Sequence, residues 1–201
     1  MGVERRQMTE QKLINPAVDK NEDKNDKNME KNTLEMERAR EADLEQICTF
    51  YQRVIADLER RTNYPLWTWG VHPSAPILKE ALERNELMLL KENGQMIACA
   101  MINPELEGEE QIDWNGSSPL CIHLLAIDPA LGKRGLGAQF VSMLVEWIRH
   151  QGADSIRLNL IEGNLPARHV YAQNGFISKG HITILLDDEG ELPFEMMELI
   201  L

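Results

Sequence analysis

The chain has 201 residues and a formal net charge of −12. This length suits one domain plus an extension and is enough to bury a core. An acidic domain lacks the basic footprint that neutralises phosphates, which excludes a nucleic-acid binder; if the charge serves a partner, that partner is cationic.

Residues 1–32 hold seven acidic and seven basic residues, so the remaining residues carry the whole −12. The stretch from Asp19 to Asn32 is almost entirely Asn, Asp, Glu and Lys. It has no apolar period, so 1–32 reads as a disordered polar tail and 33–201 as the folded domain. Cys48, Cys99 and Cys121 have no paired spacing and read as reduced thiols of a cytoplasmic protein. No apolar run reaches membrane-spanning length, and the N-terminus lacks the apolar core of a signal peptide, so no membrane partner is expected.

A first strand is expected over 33–40. From Asp43 onward, Leu44, Ile47, Phe50, Tyr51, Val54, Ile55 and Leu58 recur at helical spacing, with Asp43 as the cap. An aromatic loop follows, from Tyr64 to Pro73. A short helix then carries Ile77, Leu78, Ala81 and Leu82 on one face. Asn93-Gly94 between two apolar runs predicts a hairpin of strands over 86–91 and 95–102. The stretch 104–118 is acidic and irregular. Next come a strand over 119–127, a helix over 135–151 and a strand over 155–160. A short helix over 164–174 and two closing strands, 176–186 and 193–201, complete the chain around an acidic turn. The strand–helix–strand crossover from 122 to 160 predicts a parallel, right-handed pair. The class is a mixed α/β (α+β) sheet with helices on its faces.

The most informative stretch is Gly132-Lys133-Arg134-Gly135-Leu136-Gly137-Ala138, between a strand closed by Asp128-Pro129 and a helix. Main-chain N–H groups point outward at such a helix start, and glycine admits a phosphate to the backbone. A P-loop requires Ser or Thr after the lysine, where this chain has Arg134. A dinucleotide fingerprint spaces its glycines in the opposite sense and sits after an early strand. Neither spacing fits.

Downstream, Asn164, Ala167, Val170, Tyr171, Gly175 and Phe176 spell N-x-x-A-x-x-V-Y-x-x-x-G-F. Paired with Leu125 to Pro129, Gly135 and Gly137, one helix and one strand away, this resembles the GNAT superfamily of acetyl-CoA-dependent N-acetyltransferases. The resemblance covers 33–201 in element order and is specific at about 120–176. It departs from the family pattern at the turn, where Gly132 replaces the usual Arg or Gln and Lys133 the common second-position glycine.

The resemblance implies a mostly antiparallel sheet with a parallel splayed pair and helices on both faces. It implies that acetyl-CoA is held by the amides of Lys133, Arg134, Gly135, Leu136, Gly137 and Ala138, by the strand edge at Leu125, Ala126 and Ile127, and by Asn164. No metal is implied. It implies Tyr171 as the acid that meets the leaving thiolate. Direct attack also needs a base for the amine. His123 is the candidate, because it lies on the cofactor strand; alternation puts it on one face with Cys121 and Leu125. Glu105 and Glu162 are weaker alternatives for the base.

The loop with Trp67, Trp69 and His72 falls where the resemblance places the acceptor. The carboxylates Glu105, Glu107, Glu109, Glu110 and Asp113 would attract a cationic one, unless they are simply solvated. Trp147 is read as core. The expected activity is acetyl transfer to a primary amine of a small molecule or peptide in a ternary complex. The alternative is a GNAT-like module that binds acyl-CoA without turnover. Many members dimerise, so a homodimer fits the resemblance.

Overall fold

The computed structural model describes residues 33–132, 134–186 and 190–201. The polar stretch 1–32, Lys133 and the acidic turn 187–189 lie outside the described residues. Strand β1 (Leu34–Arg38) leads into helices α1 (Leu44–Arg60) and α2 (Ala75–Glu83). Strands β2 (Leu87–Glu92), β3 (Gln95–Asn103) and β4 (Pro119–Ile127) follow. Then come α3 (Leu136–His150), β5 (Ser155–Ile161), α4 (Leu165–Gln173), β6 (Ile177–Leu186) and β7 (Gly190–Ile200).

The strands form one sheet in the order β1-β2-β3-β4-β5-β7-β6. Every neighbouring pair is antiparallel except β4 with β5, which is parallel. The parallel ladder pairs only Pro119–Cys121 with Ser155–Arg157. From Ile122 onward the edge of β4 that faces β5 has no ladder partner there, and the sheet splays open. That edge is left with backbone donors and acceptors for something else.

Apolar side chains cover both faces. Leu136, Phe140, Val141, Leu144 and Ile148 of α3 pack on one face with Met88, Leu90, Ala100, Ile156 and Leu158. Ile47, Phe50, Tyr51 and Val54 of α1 and Leu78, Ala81 and Leu82 of α2 pack on the other, over Leu87, Leu89 and Cys99. A smaller cluster of Leu106, Cys121, Ile184, Phe194 and Met196 extends away from α1.

Asp43 does not cap α1 with its side chain. A 3-10 turn (Glu41–Asp43) precedes the helix and gives Asp43 a near-helical backbone (φ −87°, ψ −10°). A side-chain cap requires an extended residue there, so Asp43 Oδ2 instead accepts from Arg40 N at 2.7 Å. Strand β7 starts at Gly190, earlier than Pro193, because it continues along β6 past the end of the β5 ladder at Phe194. Proline is tolerated in such an edge stretch.

The irregular stretch 104–118 is pinned from below. Glu198, 1% exposed, accepts from the amides of Asn115 (3.0 Å) and Gly116 (3.1 Å). Arg157 reaches Glu109 at 3.0 Å and lies over the Trp114 ring at 4.6 Å. Glu109 is therefore a structural ion-pair partner, although its side chain stays 40% exposed. Trp147 sits at the margin of the core, with the Arg38 guanidinium 5.1 Å from its ring centre.

Candidate functional site

The site begins with a break in β4. The β3–β4 register runs Asn103↔Cys121, Ile102↔Ile122, Met101↔His123, then jumps to Cys99↔Ala126. One extra residue is therefore inserted into β4 opposite Ala100, a β-bulge. Leu124 takes φ +50° to make it, a left-handed conformation that a branched side chain disfavours. The Tyr51 hydroxyl on α1 donates to the Leu124 carbonyl at 2.6 Å, fully buried.

The bulge overturns the expected alternation. Cys121 lies in the smaller cluster on the α1 side of the sheet, whereas Leu125 packs against the α3 cluster on the other face. His123 stays before the bulge and does not share a face with Leu125.

At the end of β4, Asp128 organises the turn. Its Oδ1 accepts from Ala130 N at 3.0 Å, and its Oδ2 is 2.6 Å from Arg53 of α1. Gly135 then takes φ +70° immediately before α3 and, having no side chain, provides no side-chain cap. Gln139 N bonds back to Gly135 O at 3.1 Å, so the amides of Leu136, Gly137 and Ala138 lie ahead of the first intrahelical bond. These are free donors at the positive end of the helix dipole. A Cβ on Gly137 would lie 3.4 Å from Val170 of α4 and 3.9 Å from Ile127, in ordinary van der Waals contact with the cavity wall. The Leu136 side chain goes into the core, at 4% exposure. The Arg134 guanidinium is forked onto the carboxylate of Glu92, so its charge is already partnered.

The second motif folds as helix α4. Pro166 stands in its first turn, and Asn164 Oδ1 accepts from Ala167 N at 3.3 Å as the N-cap. Tyr171 is 8% exposed and packs edge-on against Phe176 with ring centres 5.5 Å apart. Burial alone pushes its phenol well above the usual tyrosine range, and its hydroxyl has no hydrogen-bond partner among the described residues.

A cavity of about 930 Å³ joins these pieces. His123, Leu125, Ala126, Ile127, Gly137, Asn164 and Tyr171 all line it. His123 is mostly enclosed, and burial, as the largest influence, lowers its pKa from 6.5. One ring nitrogen donates to the Glu105 main chain, while Nε2 is buried without a partner among the described residues. Burial therefore favours the neutral imidazole, and Nε2 is left with an unmet hydrogen bond. Arg134, Gly135, Leu136 and Ala138 flank the cavity without lining it.

The decisive comparison is with the acetyltransferase (GNAT) family, whose model matches residues 51–176, more than half the chain. The chain belongs to the GNAT acetyltransferase family.

Solved structures carry the same fold. A GNAT-family acetyltransferase from Streptococcus agalactiae superposes with a TM-score of 0.69 at 18% identity, over 84% of this chain and 95% of that one. The ribosomal-protein-alanine N-acetyltransferase from Brucella melitensis gives 0.64 at 18% identity, over 83% and 99%. A Salmonella typhimurium protein solved with its cofactor acetyl-CoA gives 0.63 at 16% identity, over 84% and 94%. Identities this low carry the fold and not the substrate. No curated protein matches the sequence.

Within this GNAT fold, several cavity residues escaped the sequence reading. Asp57 and Arg61 at the end of α1, Asn159 on β5, and Ile184, Leu186 and Phe194 from the closing hairpin all line the cavity. None belongs to a motif; the topology gathers them. Of the aromatic loop, Tyr64, Trp67 and His72 line the cavity, whereas Trp69 packs against the α1–α2 core. Glu105 and Glu107 line it, and Glu162 does not. No helix among the described residues is long and apolar enough to cross a membrane.

Proposed function

We propose that this GNAT protein transfers the acetyl group of acetyl-CoA to a primary amine by direct attack in a ternary complex. One observation carries the reading. The free edge of β4, the Tyr171 hydroxyl and His123 line a single cavity, and both side chains have an unpartnered functional atom. Acetyl-CoA supplies an acyl thioester. Two features of the chain fit it: the uncapped amides of Leu136 to Ala138 for the pyrophosphate, and the unladdered edge at Leu125–Ile127 for the pantetheine amides. Asn164 closes the other side of that channel.

A primary amine has a pKa of about 10.4 and is protonated at neutral pH. His123 Nε2 takes the proton, because burial keeps the imidazole neutral and its lone pair free. The amine nitrogen bonds to the thioester carbonyl carbon, the carbon–sulfur bond breaks, and the electron pair leaves on sulfur. Tyr171 donates a hydrogen bond to that sulfur. A thiol (pKa about 8.5) is a stronger acid than a buried phenol, so Tyr171 steadies the thiolate rather than surrendering its proton outright. The second proton lost by the attacking nitrogen ends on that thiolate, so the products are an amide and free CoA thiol, and His123 returns the first proton to solvent. The compartment we propose is the cytoplasm, in keeping with three unpaired cysteines.

Tyr171→Phe tests the assignment. Thiol release from acetyl-CoA should lose kcat by about 10²- to 10³-fold, with the KM for acetyl-CoA nearly unchanged. A variant that turns over at the parental rate refutes the role. Tight acetyl-CoA binding with no CoA release on any amine would replace catalysis with a binding module.

A further inference from the structure

We infer that the acceptor is a monoamine carried on an apolar, aromatic-sized body that bears neither carboxylate nor phosphate. The inference rests on the acetyl-transfer reading above and concerns the opposite end of the same cavity. That end is bounded by the loop after α1, by the segment after β3 and by the β6–β7 hairpin.

Charge decides what the acceptor lacks. Among the described residues lining the cavity, Arg61 is the one Lys or Arg. Its Nε lies 3.0 Å from Asp57 Oδ2 one helical turn away, and with the Arg61 side chain 67% exposed this pair offsets its charge at the cavity without removing it. A substrate carboxylate would enter beside Glu105 and Glu107, two exposed carboxylates without ion-pair partners among the described residues. Like charge at that mouth repels an anion and draws in a protonated amine. The cation then meets His123, whose imidazole already bonds the Glu105 main chain.

Apolar surface decides what the acceptor carries. Tyr64, Leu66 and Val71 of the α1–α2 loop are large, exposed (37%, 38% and 47%) and face the cavity. Exposed apolar side chains clustered on one concave wall mark a binding surface. Leu186 and Phe194 line the cavity from the hairpin.

The loop is built to present this wall. Leu66 takes φ +53°, a backbone conformation that disfavours leucine. It is held by Asn63, whose Nδ2 donates to Trp67 O at 2.9 Å while its Oδ1 accepts from Trp67 N at 3.0 Å. Strain of this kind persists where the surroundings enforce it and gathers at functional sites. Trp67 itself stands edge-on to Tyr51, ring centres 5.9 Å apart, which ties the acceptor wall to the residue that holds the β4 bulge. A polyamine would find Glu105 and Glu107 for its several cations, with the third lining carboxylate, Asp57, paired to Arg61, and would leave this wall uncovered.

The test compares matched amines on the full-length chain. Calorimetric titration should show 2-phenylethylamine binding, with L-phenylalanine about 100-fold weaker for its added carboxylate and spermidine about 10-fold weaker. L-phenylalanine or spermidine binding as tightly as phenylethylamine overturns the inference. CoA release is measured on the same panel. Turnover that prefers spermidine or L-phenylalanine overturns the inference and leaves acetyl transfer standing. The predicted binding order without release from any amine supports the inference and overturns acetyl transfer. Leu66→Ala should raise the phenylethylamine KM several-fold while leaving the acetyl-CoA KM unchanged. Asp57→Asn, which frees Arg61, should narrow the gap between phenylethylamine and L-phenylalanine.

Discussion

Replacing Tyr51 by Phe removes one oxygen atom and tests how the bulge in β4 is held. The Tyr51 hydroxyl is buried, and its 2.6 Å bond to Leu124 O joins α1 to a residue 73 positions away. Phenylalanine keeps the ring and its contacts with Phe50 and Trp67 but leaves the Leu124 carbonyl without this donor. A buried polar group stripped of its partner costs about 1–3 kcal/mol. For a domain of this size that lowers Tm by about 2–12 °C. The same carbonyl belongs to the residue at φ +50°, and His123 and Leu125 on either side of it line the cavity. If the bond fixes that geometry, kcat falls by about 10- to 100-fold, because misplacement near the reacting atoms is costly. Urea denaturation and steady-state thiol release measure both effects. A stability loss under about 0.5 kcal/mol refutes the claim that the bond holds the bulge. Full stability loss with parental kcat shows that Tyr51 serves the core and not the site.

Other perturbations follow from the same geometry. Burial lowers the His123 pKa from 6.5, so protonation disables the base only below that value. The kcat profile should be flat above pH 6.5 and fall on the acid side. His123→Gln should lose about 10²- to 10⁴-fold in kcat together with that acid limb; a limb centred above 6.5 contradicts the buried neutral imidazole. Glu198→Ala strips Arg157 of one carboxylate and frees the amides of Asn115 and Gly116. At 1% exposure it should destabilise by about 3–5 kcal/mol in urea, while a loss under about 1 kcal/mol would mean the stretch 104–118 is held by other contacts. Arg134 is held by Glu92, so Arg134→Ala should barely raise the acetyl-CoA KM; a large rise would place the guanidinium, rather than the amides of Leu136 to Ala138, on the pyrophosphate.

What could be read in the chain was local. The Asn93-Gly94 hairpin, the Asn164 cap and the glycine turn before α3 follow from chemistry confined to a few consecutive residues, and each forms where the sequence indicates. The sheet order follows the element order as far as β5, after which β7 inserts between β5 and β6. The bulge at Leu124 could not be read this way. The stretch from Leu120 to Ile127 has no glycine, proline or asparagine to signal a break. The left-handed turn of Leu124 accompanies a tyrosine on another element, so strict alternation put Leu125 on the wrong face. Glu109 misled for a related reason: in sequence it is one of several acidic loop residues, and only the fold brings Arg157 to it.

The two ends of the cavity differ in the same way. The proposed cofactor end is made of main-chain groups, amides of α3 and the edge of β4, whose arrangement needs glycines at fixed spacing and so leaves a motif. The acceptor end is made of side chains from α1, the α1–α2 loop, β3 and the closing hairpin. No spacing rule connects Arg61, Leu66, Glu105 and Phe194, and any of them can change without disturbing the sheet proposed to hold acetyl-CoA. Family membership is therefore legible in short motifs, whereas choice of amine is written in charge and shape that only the folded chain assembles. Selectivity should then move with Asp57, Arg61 and Leu66 independently of the acetyl-CoA KM. A substitution at one of these three that shifted both equally would show that the two ends do not act separately.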